Sequence, residues 1–399
     1  MKSSILKRDI FDKIQPFLGT KNIIVLHGAR QVGKTHILYY IQNYLKEKQA
    51  SNYYLDLEDS RYVEILDRGV EAFLNYLKGE GWDGKSAFVF IDEIQYLTNP
   101  SPFLKLVADH VPNIQLIISG SSSFNIKSKF SDSLAGRTVN FEIYPLSFAE
   151  FLRFKNITTS MEDRLVRLYR EYIAFGGYPK IVLDDDIARK ETYLQQIIDT
   201  YIKKDISDLA NVKDTRKFND LLKILASQSG QLINIAGLSK TCSLASPTIS
   251  HYLEILEETY ILKLVPPFST SPKVEVAKAP KVFFYDTGIL QMLWLRRLQT
   301  ENVGNVLETS IFSELVKKFG VEHINFWRNK NQNEIDFILQ TRGKMLPIEV
   351  KYNFSQFKKS KMAPFLRRYT IDDFYVAGLT GRKDKPYFKY PWELLQLLN

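Results

Sequence analysis

Short apolar runs and helical periodicities alternate along the first third of the chain. Residues 23–26 are an uninterrupted apolar run, and residues 87–91 and 114–118 are two further strand-like segments. Continuous apolar runs between helices are typical of strands in a parallel sheet that is covered on both faces. The pattern therefore predicts an α/β fold built on a parallel sheet. The first helix is predicted from apolar side chains at helical spacing, at Ile37, Leu38, Ile41 and Leu45.

A glycine-rich segment, "GARQVGKT", joins the first predicted strand to the first predicted helix. In this strand–loop–helix context, the spacing of the glycines, lysine and threonine predicts a loop whose backbone N–H groups surround phosphates. The helix N-terminus adds the positive end of its dipole. We expect Lys34 to contact the β- and γ-phosphates and Thr35 to hold Mg²⁺. The predicted nucleotide-contacting residues are Gly28, Ala29, Arg30, Gln31, Val32, Gly33, Lys34, Thr35, His36, Asp92 and Ser121.

Two adjacent carboxylates, Asp92 and Glu93, end the apolar run "AFVFI". Beside a phosphate-binding loop, Asp92 is predicted to bind Mg²⁺ directly or through water. Glu93 is predicted to act as the general base that activates the attacking water. A strand-end cap is the structural alternative for such a pair. Its occurrence together with the glycine-rich loop favours the catalytic interpretation.

Three serines and an arginine follow the next strand-like segment. Ser119, Ser121 and Ser122 are predicted to present a hydroxyl near the γ-phosphate, and a polar turn is the alternative. Arg137, in "LAGR", is predicted to stabilise transition-state charge, either in cis or from a neighbouring subunit. An ordinary surface arginine is the alternative for this position.

The segments "GARQVGKT", "FVFIDEIQ", "IISGSSS", "LAGR" and "YPLSFAEFL" resemble, in this order, the AAA-type ATPase module of a large group of prokaryotic proteins. In that group a poorly characterised carboxy-terminal domain follows the module, and the resemblance covers nearly the whole chain. It implies ATP and Mg²⁺ as cofactors, and it makes homo-oligomers, including rings, plausible. The ATPase residues that it implies are Lys34, Thr35, Asp92 and Glu93. Further positions that match recurring family residues are Arg30, Gln95, Ser121 and Arg137.

The middle third changes from a helical to a mixed pattern. Residues 146–212 are helical around a glycine and proline turn in "FGGYPK", which predicts a helical lid. Residues 213–285 read as three helices followed by a strand, which predicts a winged helix-turn-helix. Its third helix would turn Thr248, Ser250 and His251 toward a DNA groove. A protein-contacting or spacer role is the alternative, since this helix is acidic at its end.

The last third of the chain contains three carboxylates and a lysine in an order that predicts a metal site. Glu308 lies on a predicted helix, Asp336 on a strand, and Glu349 and Lys351 together on the next strand, "IEVK". Residues two apart on a strand point to the same face. Asp336 and Glu349 are predicted to bind a second Mg²⁺ or a Mn²⁺, with help from Glu308. Lys351 would position the nucleophile in a metal-assisted phosphodiester hydrolysis.

The pair "EID" and "IEVK" resembles the core of the PD-(D/E)xK nuclease superfamily, with "EID" where that core more often has Pro-Asp. The resemblance implies a carboxy-terminal α/β domain of the restriction-endonuclease type. Two alternatives stay open. The residues form a structural ion pair, or the site has lost catalysis and kept nucleic-acid binding.

The net charge and the composition indicate which classes of partner and which compartment to expect. The formal net charge is +9, and residues 341–399 hold 12 basic against 5 acidic side chains. Such a segment suits a nucleic acid, and a solvated lysine-rich face is the alternative. A single cysteine excludes an internal disulfide, and the start lacks a signal-peptide pattern. No apolar run approaches the length of about 18 residues that a membrane span needs. We expect a cytoplasmic protein without a membrane partner.

The expected organisation is a P-loop AAA-type ATPase core at 1–145, a helical lid at 146–212, a winged helix-turn-helix at 213–285 and a nuclease-like domain at 286–399. The expected function is a Mg²⁺-dependent ATPase that binds nucleic acid, most simply DNA. Hydrolysis would move the winged-helix and nuclease-like domains. An ATP-gated, metal-dependent DNA nuclease is one alternative. A non-cleaving ATP-dependent switch that binds a protein partner is the other.

Overall fold

A computed structural model of the chain describes residues 5–120, 134–269, 278–300, 304–341 and 343–397. The chain divides into two compact units. The amino-terminal unit comprises Met1–Tyr144 and Glu258–Tyr260, and the carboxy-terminal unit comprises Pro145–Glu257 and Ile261–Asn399. Apart from Glu258–Tyr260, the ranges predicted for the lid, winged helix and nuclease-like domain thus fall in the second unit. In the described parts of the chain, no helix is long and apolar enough to cross a membrane.

The amino-terminal unit is built on a five-stranded parallel sheet with the order β2-β3-β4-β1-β5. This confirms the parallel α/β fold that the apolar runs predict. The strands are β1 (Ile23–Gly28), β2 (Ser51–Asp56), β3 (Ala87–Asp92), β4 (Ile114–Gly120) and β5 (Thr138–Ile143). The α-helices are α1 (Ile10–Ile14), α2 (Lys34–Glu47), α3 (Ser60–Asp67), α4 (Val70–Gly79) and α5 (Pro100–His110), with short 3-10 helices at Gln15–Phe17 and Ile94–Tyr96.

Burial of the central strands explains why this sheet forms. Every residue of β1 and β4 is buried, as continuous apolar runs require in a parallel sheet. Their side chains join those of β3 in one core, into which Phe73, Leu77 and Phe103 of the flanking helices pack. Because all five strands are parallel, their carboxyl ends share one edge of the sheet. That edge holds the glycine-rich loop and the two carboxylates after β3.

The first half of the carboxy-terminal unit is mainly helical. Its α-helices are α6 (Phe148–Phe154), α7 (Glu162–Phe175), α8 (Pro179–Val182), α9 (Ile187–Ile197), α10 (Ser207–Leu209), α11 (Thr215–Ser227), α12 (Ile235–Cys242) and α13 (Ser246–Glu258), with a π-helix at Ile198–Ile206. An antiparallel pair follows, formed by β6 (Leu262–Val265) and β7 (Lys281–Phe284). Helix α14 (Thr287–Leu295) comes directly after β7. Three helices followed by two antiparallel strands match the order that the sequence predicts for residues 213–285.

Asp286 fastens the "FGGYPK" turn to the start of α14. Its carboxylate accepts from the backbone N–H of Ile289 at 2.9 Å, which caps the helix, and from that of Gly177 at 2.8 Å. A Cβ at Gly177 would lie 2.3 Å from the carbonyl oxygen of Leu146, and one at Gly288 would lie 2.3 Å from that of Phe175. The glycines are therefore required by close backbone contact between these segments.

A second sheet ends the chain, with the order β12-β11-β10-β9-β8. Strands β8 to β10 are antiparallel neighbours, whereas β10, β11 and β12 run parallel. The element order is helix, three strands, helix, two strands, helix. The elements are α15 (Gly304–Phe319), β8 (Ile324–Arg328), β9 (Glu334–Thr341), β10 (Lys344–Val350), α16 (Lys359–Tyr369), β11 (Tyr375–Ala377), β12 (Phe388–Lys389) and α17 (Pro391–Leu397), with 3-10 helices at Val321–His323 and Phe354–Gln356.

Candidate functional site

The glycine-rich loop lies between β1 and α2, as the sequence predicts. A Cβ at Gly28 would lie 2.1 Å from the carbonyl oxygen of Ile143, so the close approach of β5 excludes a side chain there. Gln31 and Gly33 have positive φ angles of 62° and 96°, which fold the loop back before the helix begins. Arg8 holds the loop from outside, since its guanidinium donates to the carbonyl of Val32 at 2.8 Å. Arg8 was not predicted as part of the site.

Lys34 is the first residue of the fourteen-residue helix α2, and its side chain is buried. Its ammonium donates to the carbonyl oxygens of Gly28 at 3.0 Å and Ala29 at 2.8 Å. Burial lowers the pKa of Lys34 to about 8, although the carboxylates of Glu93 and Asp92 oppose the shift. The lysine therefore contacts the inner wall of the loop, where a phosphate would compete for its protons. Thr35 follows on α2 and is partly buried, whereas His36 is exposed.

Asp92 is the last residue of β3 and is only 2% exposed. Its carboxylate accepts from the hydroxyl of Tyr54 at 2.8 Å, from the N–H of Glu93 at 3.1 Å and from the hydroxyl of Ser119. Burial, and then the charge of Asp92, raise the pKa of Tyr54 above its ordinary value. Tyr54 thus stays a hydrogen-bond donor. It lies on β2, in register with the neighbouring β3, and it was missed because "NYYLDLED" carries no local signal for this contact.

Glu93 leaves the strand with a φ of 55°, in the left-handed region. Its carboxylate accepts from the side-chain amide of Gln95. Asp92 is buried in the sheet, whereas Glu93, at the turn that follows, is only partly buried. The two carboxylates are therefore held in different surroundings.

The remaining residues predicted for this site lie in different places. Ser119 ends inside the sheet, bonded to Asp92. Ser121 and Ser122 lie outside the described residues. Arg30 and Gln31 are in the loop, where Arg30 is partly buried and Gln31 is exposed.

Arg137 is at the opposite edge of the sheet from the glycine-rich loop. Strands β1 and β5 pair from Ile23–Thr138 to Gly28–Ile143, and Arg137 precedes Thr138. The strand between Ile23 and Gly28 is roughly 16 Å long at the usual rise per residue. The guanidinium instead binds Asp109, with Nε–Oδ1 and Nη2–Oδ2 distances of 2.7 and 3.1 Å. Of the two roles predicted for Arg137, this position does not support the one in cis, and the role from a neighbouring subunit stays a prediction.

A residue that follows helix α13 contributes to the amino-terminal unit. The hydroxyl of Tyr260 lies 2.6 Å from Nδ1 of His27, the residue before Gly28. The same hydroxyl donates to Glu142 at 3.2 Å, and Glu142 also accepts from the hydroxyl of Tyr144. Because His27 is the last residue of β1 before Gly28, where the loop begins, Tyr260 connects the chain after α13 to the loop. Sequence patterns did not predict this network.

In the carboxy-terminal unit, three of the four residues predicted for a nuclease-like site lie on the predicted elements, and the fourth, Lys351, lies one residue beyond its predicted strand. Glu308 is on α15, Asp336 on β9 and Glu349 on β10, and Lys351 directly follows β10. Lys351 Nζ is 2.6 Å from Glu349 Oε1 and 3.8 Å from Asp336 Oδ2. Asp336 Oδ2 also accepts from the N–H of Val350 at 2.7 Å. We call Glu308, Glu334, Asp336 and Glu349 the carboxylate cluster.

Lys281, which was not predicted as a site residue, reaches the carboxylate cluster from β7. Its Nζ lies 2.7 Å from Glu334 Oε1, 3.0 Å from Glu308 Oε1 and 3.8 Å from Asp336 Oδ1. Burial alone would lower the pKa of Lys281, but attraction to the carboxylates outweighs it and raises that pKa. Burial, and then the charge of Asp336, raise the pKa of Glu308 and of Glu349.

A pocket of about 440 Å³ opens beside the cluster. Oε2 of Glu349 and the hydroxyl of Tyr352 are buried and without a hydrogen-bond partner. Among the described residues, no group of three or more His, Cys, Asp or Glu side chains is arranged to hold a metal ion. The pocket is lined by Gly304, Glu308, Asp336, Val350, Lys351, Tyr352 and Gln356.

Two surfaces of the carboxy-terminal unit bear on partner binding. Helix α16 and the residue before it expose five basic side chains, and none of the five forms an ion pair within the described part of the chain. Helix α13 exposes Ser250, His251 and Glu254, and leaves Thr248 partly buried. The basic side chains are Lys358, Lys359, Lys361, Arg367 and Arg368.

Family models match three successive parts of the chain. A model described as an AAA domain matches residues 20–152, which include the glycine-rich loop, Asp92 and Glu93. The amino-terminal unit is thus a P-loop ATPase domain of the AAA type. Two models described as domains of unknown function, DUF8612 and DUF4143, match residues 166–302 and 303–382.

Similar proteins extend over most of the chain. An uncharacterized protein of Haemophilus influenzae is 28% identical over 365 residues, which cover 89% of this chain and 88% of that protein. The uncharacterized protein MJ1544 of Methanocaldococcus jannaschii is 30% identical over 375 residues, covering 90% of this chain and 80% of that protein. The solved Walker-type ATPase PABY2304 of Pyrococcus abyssi is 15% identical, with 71% of this chain and 93% of that chain covered. Its TM-score of 0.47 is too low to support an inference.

Proposed function

The chain belongs to the family of the Methanocaldococcus jannaschii protein MJ1544, and from this premise we propose that it is a Mg²⁺-dependent ATPase that binds DNA. The observation that carries the ATPase part is the shared edge of the first sheet. There the glycine-rich loop and Lys34 follow β1, and Asp92 and Glu93 stand at the carboxyl end of β3, with only β4 between the two strands. This arrangement has the parts that phosphoryl transfer to water requires.

In the proposed ATP site, each residue has one task. Lys34 would exchange its bonds to the loop carbonyls for bonds to the β- and γ-phosphates. Thr35 and Asp92 would hold Mg²⁺, which neutralises phosphate charge when bound. The donor set suits this ion, since a hydroxyl and a carboxylate are hard oxygen ligands. Glu93 would take a proton from the attacking water, and for that its carboxylate must exchange the bond to Gln95 for one to the water.

The DNA part of the proposal rests on the carboxy-terminal unit. We propose that α11, α12 and α13 with β6 and β7 form a winged helix, whose third helix presents Ser250 and His251. The exposed basic side chains of α16 supply the charge that phosphate contacts need. The acidic residues on α13 favour α16 as the stronger electrostatic surface. The order helix, three strands, helix, two strands, helix supports a nuclease-like fold for the last domain.

Charge reversal on α16 tests the DNA proposal. Changing Lys358, Lys359, Arg367 and Arg368 to glutamate should weaken DNA binding by the full chain, because phosphate contacts dominate such affinity. The slope of log affinity against log salt should fall by about one for each side chain that contacts a phosphate. The measurement is a fluorescence anisotropy titration of labelled duplex and single-stranded DNA at several salt concentrations.

A matched control has the same change in net charge. It carries the glutamate substitutions on exposed lysines of the amino-terminal unit, namely Lys21, Lys46, Lys78 and Lys105. We expect this variant to keep most of the wild-type affinity and salt slope. Equal losses in the two variants would show a general charge effect and would remove α16 as the DNA surface. A wild-type chain that binds no DNA would favour a protein partner.

Tyr260 offers a test of coupling between the ATP site and the chain that follows α13. Tyr260→Phe removes the hydroxyl shared by His27 and Glu142 and keeps the ring. We expect basal ATP turnover to stay within the same order of magnitude. Stimulation of turnover by DNA should fall by about fivefold or more, the size of a typical coupling energy. Phosphate release with and without DNA measures both quantities.

The control for Tyr260→Phe is Tyr252→Phe, which removes a hydroxyl from α13 itself. Tyr252 is buried on that helix and packs against Phe218. The Tyr252→Phe variant should leave both the basal and the DNA-stimulated rate of ATP turnover close to those of the wild type. Unchanged stimulation in Tyr260→Phe would contradict a coupling role for this contact.

Oligomers are part of the proposal through Arg137. Because the guanidinium is bound to Asp109 at the far edge of the sheet, we propose that Arg137 meets a nucleotide only from a neighbouring subunit. Its bidentate pair with Asp109 would then have to open.

A further inference from the structure

A buried lysine lies where the nuclease resemblance implies a metal ion. Lys281 is 2% exposed, and its ammonium is 2.7 Å from Glu334, 3.0 Å from Glu308 and 3.8 Å from Asp336. These carboxylates belong to α15 and β9, whereas Lys281 belongs to β7. Three carboxylates from the carboxy-terminal domain thus already share a cation that the chain itself supplies.

A second ammonium, that of Lys351, pairs with the other side of the carboxylate cluster. Lys351 pairs with Glu349 Oε1 at 2.6 Å and lies 3.8 Å from Asp336 Oδ2. Asp336 therefore faces one ammonium with each of its two oxygens. The buried Oε2 of Glu349 lacks a hydrogen-bond partner, but this one oxygen falls well short of the roughly six oxygen ligands that Mg²⁺ prefers.

The residues present do not fit a divalent metal. Mg²⁺ binds oxygens at about 2.0–2.1 Å, so a shared ion would need Glu308 and Asp336 to converge on one point. The Lys281 ammonium occupies the space between their facing oxygens, and its charge would repel the metal. This agrees with the absence, among the described residues, of a group of acidic, His or Cys side chains arranged for metal binding.

Lys281 is fixed in this position by its strand. Its backbone pairs with Val265 of β6 and forms a bridge with Leu232. The ammonium also lies 5.6 Å from the centre of the Phe326 ring and 5.9 Å from that of Phe283. Withdrawing the ammonium would mean moving a side chain that is only 2% exposed and closely packed.

We propose that Lys281 is the permanent counter-ion of the carboxylate cluster, and that the cluster joins β7 to the carboxy-terminal sheet instead of binding a catalytic metal. The domain then keeps the order of elements of a nuclease without the metal chemistry. ATP-gated, metal-dependent DNA cleavage is not expected of it. The proposal concerns the carboxylate cluster alone and does not depend on ATP hydrolysis.

Mn²⁺ binding by the full chain without nucleotide tests the proposal. Electron paramagnetic resonance measures free Mn²⁺ during titration of the wild type and of Asp336→Asn. We expect the two titration curves to coincide, because the cluster holds no metal. A Mn²⁺ site that is present in the wild type and lost in Asp336→Asn would overturn the proposal.

A second pair of variants removes the counter-ion. Lys281→Met keeps an unbranched side chain one atom shorter and removes its charge, and it should gain a Mn²⁺ site that the added Asp336→Asn change abolishes. A folded Lys281→Met chain that gains no Mn²⁺ would contradict the proposal as well. If Lys281→Met does not fold, the Mn²⁺ titrations of the wild type and of Asp336→Asn still test the proposal.

Discussion

Replacing Glu93 with glutamine is expected to lower ATP turnover by about 10²–10⁴-fold, the range typical of a lost general base. The amide has nearly the same shape as the carboxylate and still accepts a hydrogen bond, but it does not take a proton from water. Binding of ATP should be retained, because Lys34 and the loop are unchanged. Steady-state phosphate release gives the turnover, and calorimetry gives the affinity.

The control for Glu93→Gln is Glu47→Gln, at the exposed end of α2. It removes the same charge from the same unit and should leave turnover unchanged. A Glu93→Gln chain that turns over ATP at the wild-type rate would exclude Glu93 as the base. Loss of ATP binding in that variant would show that Glu93 acts on the loop rather than on the water.

Replacing Lys281 with methionine is expected to lower the free energy of unfolding by about 3–5 kcal/mol, as for other buried ion pairs that lose one partner. Glu308, Glu334 and Asp336 would be left close together without the ammonium that neutralises them. Urea denaturation followed by near-ultraviolet circular dichroism measures the change. For a unit of this size, each 1 kcal/mol should shift the melting temperature by about 2–4 °C.

Lys263→Met is the matched control on the adjacent strand β6. Lys263 pairs with Glu257 at 2.8 Å, a distance similar to that of the Lys281 pairs, but both side chains are partly exposed. Exposed pairs contribute little, so a loss within about 1 kcal/mol is expected. Adding Glu308→Gln to Lys281→Met should recover part of the lost stability, because it removes one of the unneutralised charges. Equal effects of Lys281→Met and Lys263→Met would contradict a neutralising role for Lys281.

The ATP site was predictable because its signals are local in sequence. A strand, a glycine-rich loop and a helix follow one another within residues 23–47, and each is marked by its own residues. Asp92 and Glu93 end a buried strand, and parallel strands bring their carboxyl ends to one edge. These features placed the loop and the two carboxylates correctly without any long-range information.

The contacts that were missed all join residues distant in the chain. Tyr54 meets Asp92 through strand register, and Tyr260 meets His27 across 233 positions. Arg137 was predicted as an ATP-site residue from the segment "LAGR", but the direction of β5 places it at the far edge. Strand direction and register are set by tertiary packing, which spacing does not record.

One feature of the sequence does indicate a special role for Lys281. It begins the apolar segment "KVFF", all four residues of which are buried. A lysine is rarely buried without a charged partner, so its place in such a strand predicts a carboxylate opposite. The partner itself was not predictable, because Glu308, Glu334 and Asp336 come from two other elements. The carboxylates were enough to predict the elements of the last domain. In our proposal, Lys281 determines whether their site can bind a metal ion.

Calorimetric titration of ATP with Mg²⁺ into the full chain tests the central claim most directly. The account predicts saturable binding at a single class of site, with heat that disappears in Lys34→Ala because the buried ammonium beside the loop is lost. Absence of heat with the folded wild type, or an unchanged isotherm in Lys34→Ala, would contradict it.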